Sequence, residues 1–386
     1  MNKTTKDLIF LAVFTLILTF LIWLPHILAI PNFWGLNFSQ GFATIYRNFD
    51  GLEYVVIAKS WYNSETIAEI PQQLPAIYYA SHFPGYAILI SAFAPILGFL
   101  KSMLFVSIFS TILATWAFYF LVSKLKLSQH PLILSLIFLI LPARWLIVHS
   151  VGSSEPLFIF LVISTFYFFI RFEQTGHFTD IVLTGLFGFL AQITRPPGIL
   201  VFIAISAYLL WKLVANKSSV SIIRIIGTNT PLFLIPFGLL VIFKWYAISY
   251  QDFFAYFHSG DNIHLTLPPF PVFNKDQFWV GDIWLEDVVY IYILGFLGGI
   301  MLWKRGLYPL ALFVLTYLVA SSFVAHRDIS RYLLPLSPFV LIAFEKILTS
   351  KEFKIILPII ILAIYLYAQN FIIQNVAPIP NLTPFD

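Results

Sequence analysis

The chain contains no cysteine, which excludes disulfides, thiolate zinc sites and a cysteine nucleophile. Charge is scarce as well. Asp, Glu, Lys and Arg make up 10% of the 386 residues, against about 25% in a soluble protein. No internal repeat or low-complexity tract appears, and no polar interval is long enough for a separate soluble domain. The net charge of +4 is spread over short connections and forms no patch. It therefore does not point to nucleic acid and reports membrane topology instead.

Apolar and aromatic residues take the place of charge. The sequence is 60% hydrophobic, with 42 Phe, 19 Tyr and 10 Trp. This is the composition of an all-α polytopic membrane protein, read as a single integral domain over 1–386. A span needs about 20 apolar residues. Candidate spans are 8–30, 102–122, 131–150, 156–171, 181–194, 198–213, 230–248, 288–303, 307–324, 332–347 and 355–374. No small-residue cleavage site closes the first run, so it reads as a retained span. The apolar run 85–99 is shorter, and charge decides its role. If it dips into the outer leaflet without crossing, Lys124, Lys126, Arg171, Lys212, Lys217, Arg224, Lys304, Arg305, Lys346, Lys351 and Lys354 fall on the cytoplasmic side with Lys3 and Lys6. The positive-inside rule favours that arrangement, with about eleven spans, the N-terminus inside and the C-terminus outside. The long polar intervals 31–84 and 249–287 then both lie outside. The first carries a short interfacial helix near 50–62 and a turn at Gln72-Gln73-Leu74-Pro75. The second carries an interfacial helix followed by a loop.

The chemistry gathers on that outer face. Asp50, Glu53, Tyr54 and Ile57 stand at i, i+3, i+4 and i+7, which places them on one side of a helix. Asp50-x-x-Glu53 also has the form of a capping box, worth ~1 kcal/mol. The alternative is that Asp50 is a general base taking the proton of a sugar hydroxyl. His82, in His82-Phe83-Pro84-Gly85-Tyr86, is placed to touch a phosphate or a sugar, or is plain helix-entry punctuation. Glu155 follows Gly152-Ser153-Ser154, either as an N-terminal helix signal or as an ionisable group facing a polar cavity. Arg195 sits in a tight turn, Thr194-Arg195-Pro196-Pro197-Gly198, between two short apolar halves. It either snorkels to the interface or binds an anion such as a lipid phosphate. Arg327 and Arg331, in the outer loop before 332–347, are spaced to grip a phosphate together. The rival is an Arg327–Asp328 surface pair. His258, Asp261 and His264 have a spacing that could suit a metal but lie in loop, and no metal ligand is assigned. The residues leave open whether a divalent cation assists.

Several of these motifs resemble one family. Phe49-Asp50-x-x-x-Tyr54 is similar to the Trp-Asp-x-x-x-Tyr signature of the mannosyltransferases that add the second mannose of glycosylphosphatidylinositol anchors, and of their bacterial relatives. Phe83-Pro84-x-Tyr86 resembles the Phe-Pro-Leu-Tyr-Pro motif that follows in that family. Ser154-Glu155-x-Leu157-Phe158 resembles its Glu-Ser-Leu-Phe turn, and Thr194-Arg195-x-x-Gly198 its Thr-Arg-Ser-Asn-Gly turn. The match runs in order over 47–200. Phe49, Gly85, Ala87, Pro156 and Pro197 depart from the family pattern. The resemblance implies a GT-C fold and a membrane glycosyltransferase. It implies a polyprenyl-phosphate hexose donor, mannose-like, a catalytic carboxylate in the first outer loop, and inversion at the anomeric carbon. Asp50 would be the catalytic residue. Glu53, Tyr54, His82, Glu155, Arg195, Arg327 and Arg331 would bind substrate. The acceptor would be a glycan, a lipid or a protein, and the protein would sit in a bacterial-type plasma membrane with its site outside. The rival classes are a transporter or lipid flippase, and a non-catalytic subunit of a polysaccharide assembly complex. The gathering of ionisable residues at one face speaks against a transporter, which would place them near the midplane.

Overall fold

The computed structural model describes residues 2–71, 74–215, 227–260, 265–277, 279–280 and 285–386. Gln72, Gln73, Lys217, Arg224, Asp261 and His264 lie outside the described residues. Among those described, the structure is helical and has no strand beyond isolated bridges. Seven helices are long and apolar enough to cross a membrane. They are Lys3–Ile27, Phe99–Lys124, Glu155–Thr175, Pro196–Ala215, Thr230–Ser249, Leu285–Lys304 and Lys351–Gln374. Each falls on an expected span. The other expected spans are shorter helices or broken ones.

The outer helices are apolar on the wrong side for a soluble protein. In Lys3–Ile27 the exposed face carries Ile9, Phe10, Val13, Leu16, Ile17 and Phe20, while Thr15 and Thr19 turn inward. Lys351–Gln374 likewise exposes Ile355, Ile356, Ile359 and Ile360. Only a lipid solvent makes that arrangement favourable. The buried Thr15 donates to the Leu11 carbonyl of its own helix at 2.8 Å. Glu155–Thr175 is the central helix, packed between Phe99–Lys124 and Phe178–Thr194.

Two expected spans are corrected. The interval 131–150 is not one helix. It breaks into Pro131–Ile140 and Ala143–Val148 at Leu141-Pro142, because Pro142 lacks the N–H that the continuing helix requires. The interval 332–347 is shifted: its helix runs Ile329–Ala343, tightened at Leu334–Leu336, and a separate short turn Glu345–Leu348 follows. The break at Pro142 seats Arg144 just past the end of an apolar helix.

The expected outer helix is Gly51–Ser60. The run 85–99 forms Gly85–Leu97, ended by Gly98 at φ +78°. Both of its ends meet the outer interval or the chain terminus. Tyr86 lies edge-on to Tyr54, with ring centres 5.1 Å apart. Ser91 donates to the Ala58 carbonyl at 3.3 Å. Gly98 is beside Asp386, whose main-chain oxygen accepts from Lys59 at 3.0 Å.

Two glycines allow the close packing that builds the site. A Cβ on Gly51 would stand 3.0 Å from the Gly152 carbonyl oxygen. A Cβ on Gly85 would stand 2.8 Å from the Thr194 Cα. The first distance is tighter than most real Cβ contacts and the second is shorter than backbone atoms tolerate, so a side chain there would push the elements apart. The first contact brings the Asp50 helix onto the Glu155 turn. The second brings the segment after His82 onto the Arg195 turn.

Candidate active site

Asp50 occupies the N-cap position of Gly51–Ser60, but its side chain makes no capping hydrogen bond. Its Oδ2 accepts instead from Arg331 Nη2 at 2.5 Å. Capping therefore does not account for this carboxylate. The same guanidinium donates through Nε to Glu155 Oε1, also at 2.5 Å. Arg195 Nη1 reaches that oxygen at 2.7 Å. Arg195 further donates to Ser154 Oγ at 2.8 Å, and Ser154 donates on to the Tyr54 hydroxyl at 2.9 Å. Ser153 donates to Glu155 Oε2. His82 Nε2 stands 3.9 Å from Asp50 Oδ2, and its ring is 5.3 Å from that of Tyr54.

The result is a chain of charges running from the surface inward: Asp50, Arg331, Glu155, Arg195. Glu155 is 1% exposed and Arg331 2%. Ionic groups so deep persist only when paired and hydrogen-bonded, and here each acid faces an arginine. Asp50 is at the open end, with 31% of its side-chain surface exposed. Burial by its neighbours opposes its charge. The positive charges of Arg331, His82 and Arg195, and the hydrogen bond from Arg331, outweigh that and hold the carboxyl well below the usual carboxylate range. Asp50 is thus ionised at neutral pH.

Asp50 also lies where two spaces meet. One is an apolar cavity of about 400 Å³. Its polar end holds Asp50, Tyr54, His82 and Arg195, and its apolar wall includes Ile199, Leu200, Leu239 and Phe243. The other is a polar pocket of about 230 Å³ lined by Phe49, Asp50, Asp328, Arg331 and Gln374–Ala377.

The structure therefore gathers Asp50, Tyr54, His82, Glu155, Arg195 and Arg331, whose sequence positions span 281 residues between Asp50 and Arg331. It does not gather all of the expected residues. Arg327 is exposed and precedes the helix Ile329–Tyr332. It does not share a grip with Arg331, which is turned inward to two carboxylates. Glu53 is also displaced. It lies about 100° from Tyr54 around the helix, and that is enough to move it off the shared face. With Leu52, Val56, Tyr78 and Tyr79 it lines a different cavity, of about 730 Å³.

Glu53 Oε2 is buried and has no hydrogen-bond partner. Burial first, and then the negative charge of Asp50, push the Glu53 carboxyl up to about 8. The folded chain therefore keeps this proton from Glu's ordinary value up to about pH 8, while the unfolded chain releases it. Stability must fall as pH rises through that window. Glu53→Gln removes the cost. The variant's thermal midpoint in detergent should match wild type near pH 5 and exceed it by several degrees at pH 8. Parallel curves for the two proteins across that range would contradict the assignment.

The sequence reading passed over two residues. Ser154 links Arg195 to Tyr54, although only its neighbour Glu155 was singled out. Arg144 is a charged residue inside the apolar interval 131–150, and an intramembrane arginine is itself a signal. Among the described residues, no three His, Asp or Glu side chains come together in a way that could hold a metal ion.

No family model matches the sequence, and no curated protein matches it. Solved structures do match in fold. ArnT from Cupriavidus metallidurans bound to undecaprenyl phosphate is similar with a TM-score of 0.59 at 12% identity, over 94% of this chain and 64% of that one. The apo form of the same protein gives 0.55 at 12% identity, over 91% and 62%. The archaeal oligosaccharyltransferase AglB from Archaeoglobus fulgidus, in complex with an inhibitory peptide and a dolichol-phosphate, gives 0.53 at 13% identity, over 98% and 56%. The chain thus spans less than two thirds of the length of each of these structures. The likeness is one of architecture: this is a multi-pass membrane protein with the GT-C fold.

Proposed function

We propose that this protein is a membrane glycosyltransferase. In this reading it transfers a hexose, mannose-like, from a polyprenyl-phosphate donor to an acceptor hydroxyl at the extracytoplasmic face, with inversion. One observation carries the reading: the ionised Asp50 stands between an apolar cavity with a cationic end and a polar pocket. A lipid-linked sugar phosphate and a hydroxylic acceptor need that pair of environments on opposite sides of one carboxylate. The fold supports it, since two of the three similar structures hold a polyprenyl-type lipid phosphate.

The donor's tail enters along Leu239 and Phe243, and its phosphate meets Arg195 and His82. Phosphate leaves readily once its growing charge is stabilised. Arg331 fixes Asp50 through Oδ2 and leaves Oδ1 to accept the proton of the incoming hydroxyl. The acceptor oxygen then bonds to the anomeric carbon as the bond to the phosphate oxygen breaks. A carboxylate held this far below its ordinary range is a weak base. It suits a step in which the leaving group departs first and the proton moves late.

The test supplies membranes containing the full chain with radiolabelled polyprenyl-phosphate hexoses and, separately, with labelled nucleotide sugars. Label should transfer from the lipid donor with its anomeric configuration reversed, and not directly from the nucleotide sugar. Transfer with retained configuration would sink the mechanism. No transfer from any lipid donor would point to an accessory subunit instead.

A further inference from the structure

A second apolar cavity has a volume of about 750 Å³. Its walls include Ile291, Leu294, Val340 and Tyr367, and its polar end holds Arg144. The Arg144 side chain is 11% exposed. Its Nε and Nη1 are buried and have no hydrogen-bond partner. The nearest acid, Asp328, is 3.8 Å from Nη2. Asp287, exposed, is the acidic residue of the groove's own lining and makes no ion pair with Arg144 among the described residues. A buried guanidinium with idle donors is costly, and an apolar groove does not supply the missing acceptors. The missing partner is an anion attached to something apolar.

The groove adjoins the site through Asp328, the acid nearest Arg144. Asp328 lines the polar pocket together with Asp50 and Arg331. Behind that wall, the Arg144 guanidinium lies 3.8 Å from the centre of the Phe371 ring. Phe371 stacks on Phe49 at 5.5 Å, and Arg331 lies 4.4 Å over Phe49. The two cations are thus kept apart by two aromatic rings, and each faces its own cavity. The Arg144 groove is also the larger, about 750 Å³ against about 400 Å³ for the Arg195 cavity.

We propose that the Arg144 groove binds the acceptor, and that the acceptor is a membrane lipid carrying a phosphate group. Its phosphate sits on Arg144 Nε and Nη1, its chains fill the groove, and its headgroup hydroxyl reaches past Asp328 to Asp50. This rests on the assignment of Asp50 as the base, but the binding half is tested without catalysis. The purified full chain in detergent is titrated with dioleoylphosphatidylglycerol and with dioleoylglycerol, and bound lipid is counted by native mass spectrometry.

Dioleoylphosphatidylglycerol should bind wild type and Asp50→Asn equally, and dioleoylglycerol should bind weakly. Arg144→Gln should weaken the phospholipid about ten- to a hundredfold, the loss of a charge-assisted hydrogen-bonded pair. It should leave undecaprenyl phosphate binding unchanged. Leu294→Trp, which fills the groove from its lipid-facing side, should weaken the phospholipid as well while keeping the arginine. Equal binding of both lipids, or an Arg144→Gln defect confined to undecaprenyl phosphate, would overturn the site. In the transfer assay the labelled product should extract into organic solvent. An Arg144→Gln loss of product should come with an unchanged donor KM. Label recovered only in protein or insoluble glycan would overturn the acceptor class while leaving the glycosyltransferase reading intact.

Discussion

Asp50→Asn should lower the rate of sugar transfer by about 10²–10⁴-fold, the usual contribution of a positioned base, with the donor KM little changed. The amide keeps an oxygen for Arg331 and the same shape. It loses only the charge and the capacity to take a proton. Because Arg331 remains paired with Glu155 and the Asp50 site is partly open, the variant should stay folded. A melting curve close to wild type is the control. Full activity in Asp50→Asn would remove this residue from the chemistry and move the search for a base to Glu155. The pH profile adds an independent check. Arg331 favours the ionised form of Asp50, so wild type should show no loss of rate assignable to Asp50 as pH falls from 7 to about 5, the upper edge of the ordinary carboxylate range.

Arg331→Met should have the largest effect on stability, about 3–5 kcal/mol, because it leaves buried acid without its partner. Glu155 would keep Arg195, but Asp50 would lose the contact that holds its charge. Arg331→Lys separates charge from geometry. An ammonium is a compact donor and cannot span two carboxylates as the guanidinium fork does. It should recover part of the stability and little of the activity. It should also move the acid limb of the pH–rate profile upward, since burial then acts on Asp50 with a weaker opposing charge. The measurements are thermal unfolding in detergent and kcat between pH 4 and 8. A double-mutant cycle with Asp50→Asn should be non-additive, as groups sharing a hydrogen bond are. Strict additivity would mean the two side chains do not cooperate.

Much of the fold was legible in the sequence because lipid imposes simple rules. Backbone groups in a bilayer must pair within their own segment, so long apolar runs become helices whatever their neighbours. Seven expected spans appear as such helices. The clearest departure came from proline. Pro142 lies inside an apolar run that hydropathy reads as continuous, yet it interrupts the helix there. Arg144 was overlooked because it lay within a run taken as one span.

The site divides along similar lines. Asp50, Glu155 and Arg195 stood out locally, as ionisable residues at turns between apolar segments, and they do meet. The expected pairing of Arg327 with Arg331 rested on spacing alone. It failed because the helix begins only at Ile329. Glu53 failed because a helix face is narrow, and one step of about 100° separates two cavities. The sequence by itself determined a polytopic helical protein, since solvent and residue type decide that position by position. Only the tertiary structure decided that Arg331 bridges Asp50 and Glu155 across 281 and 176 positions of chain. It also decided that Asp50 separates two cavities and that Arg144 has an apolar groove of its own. Those are relations between distant segments, fixed by packing, and no local pattern encodes them.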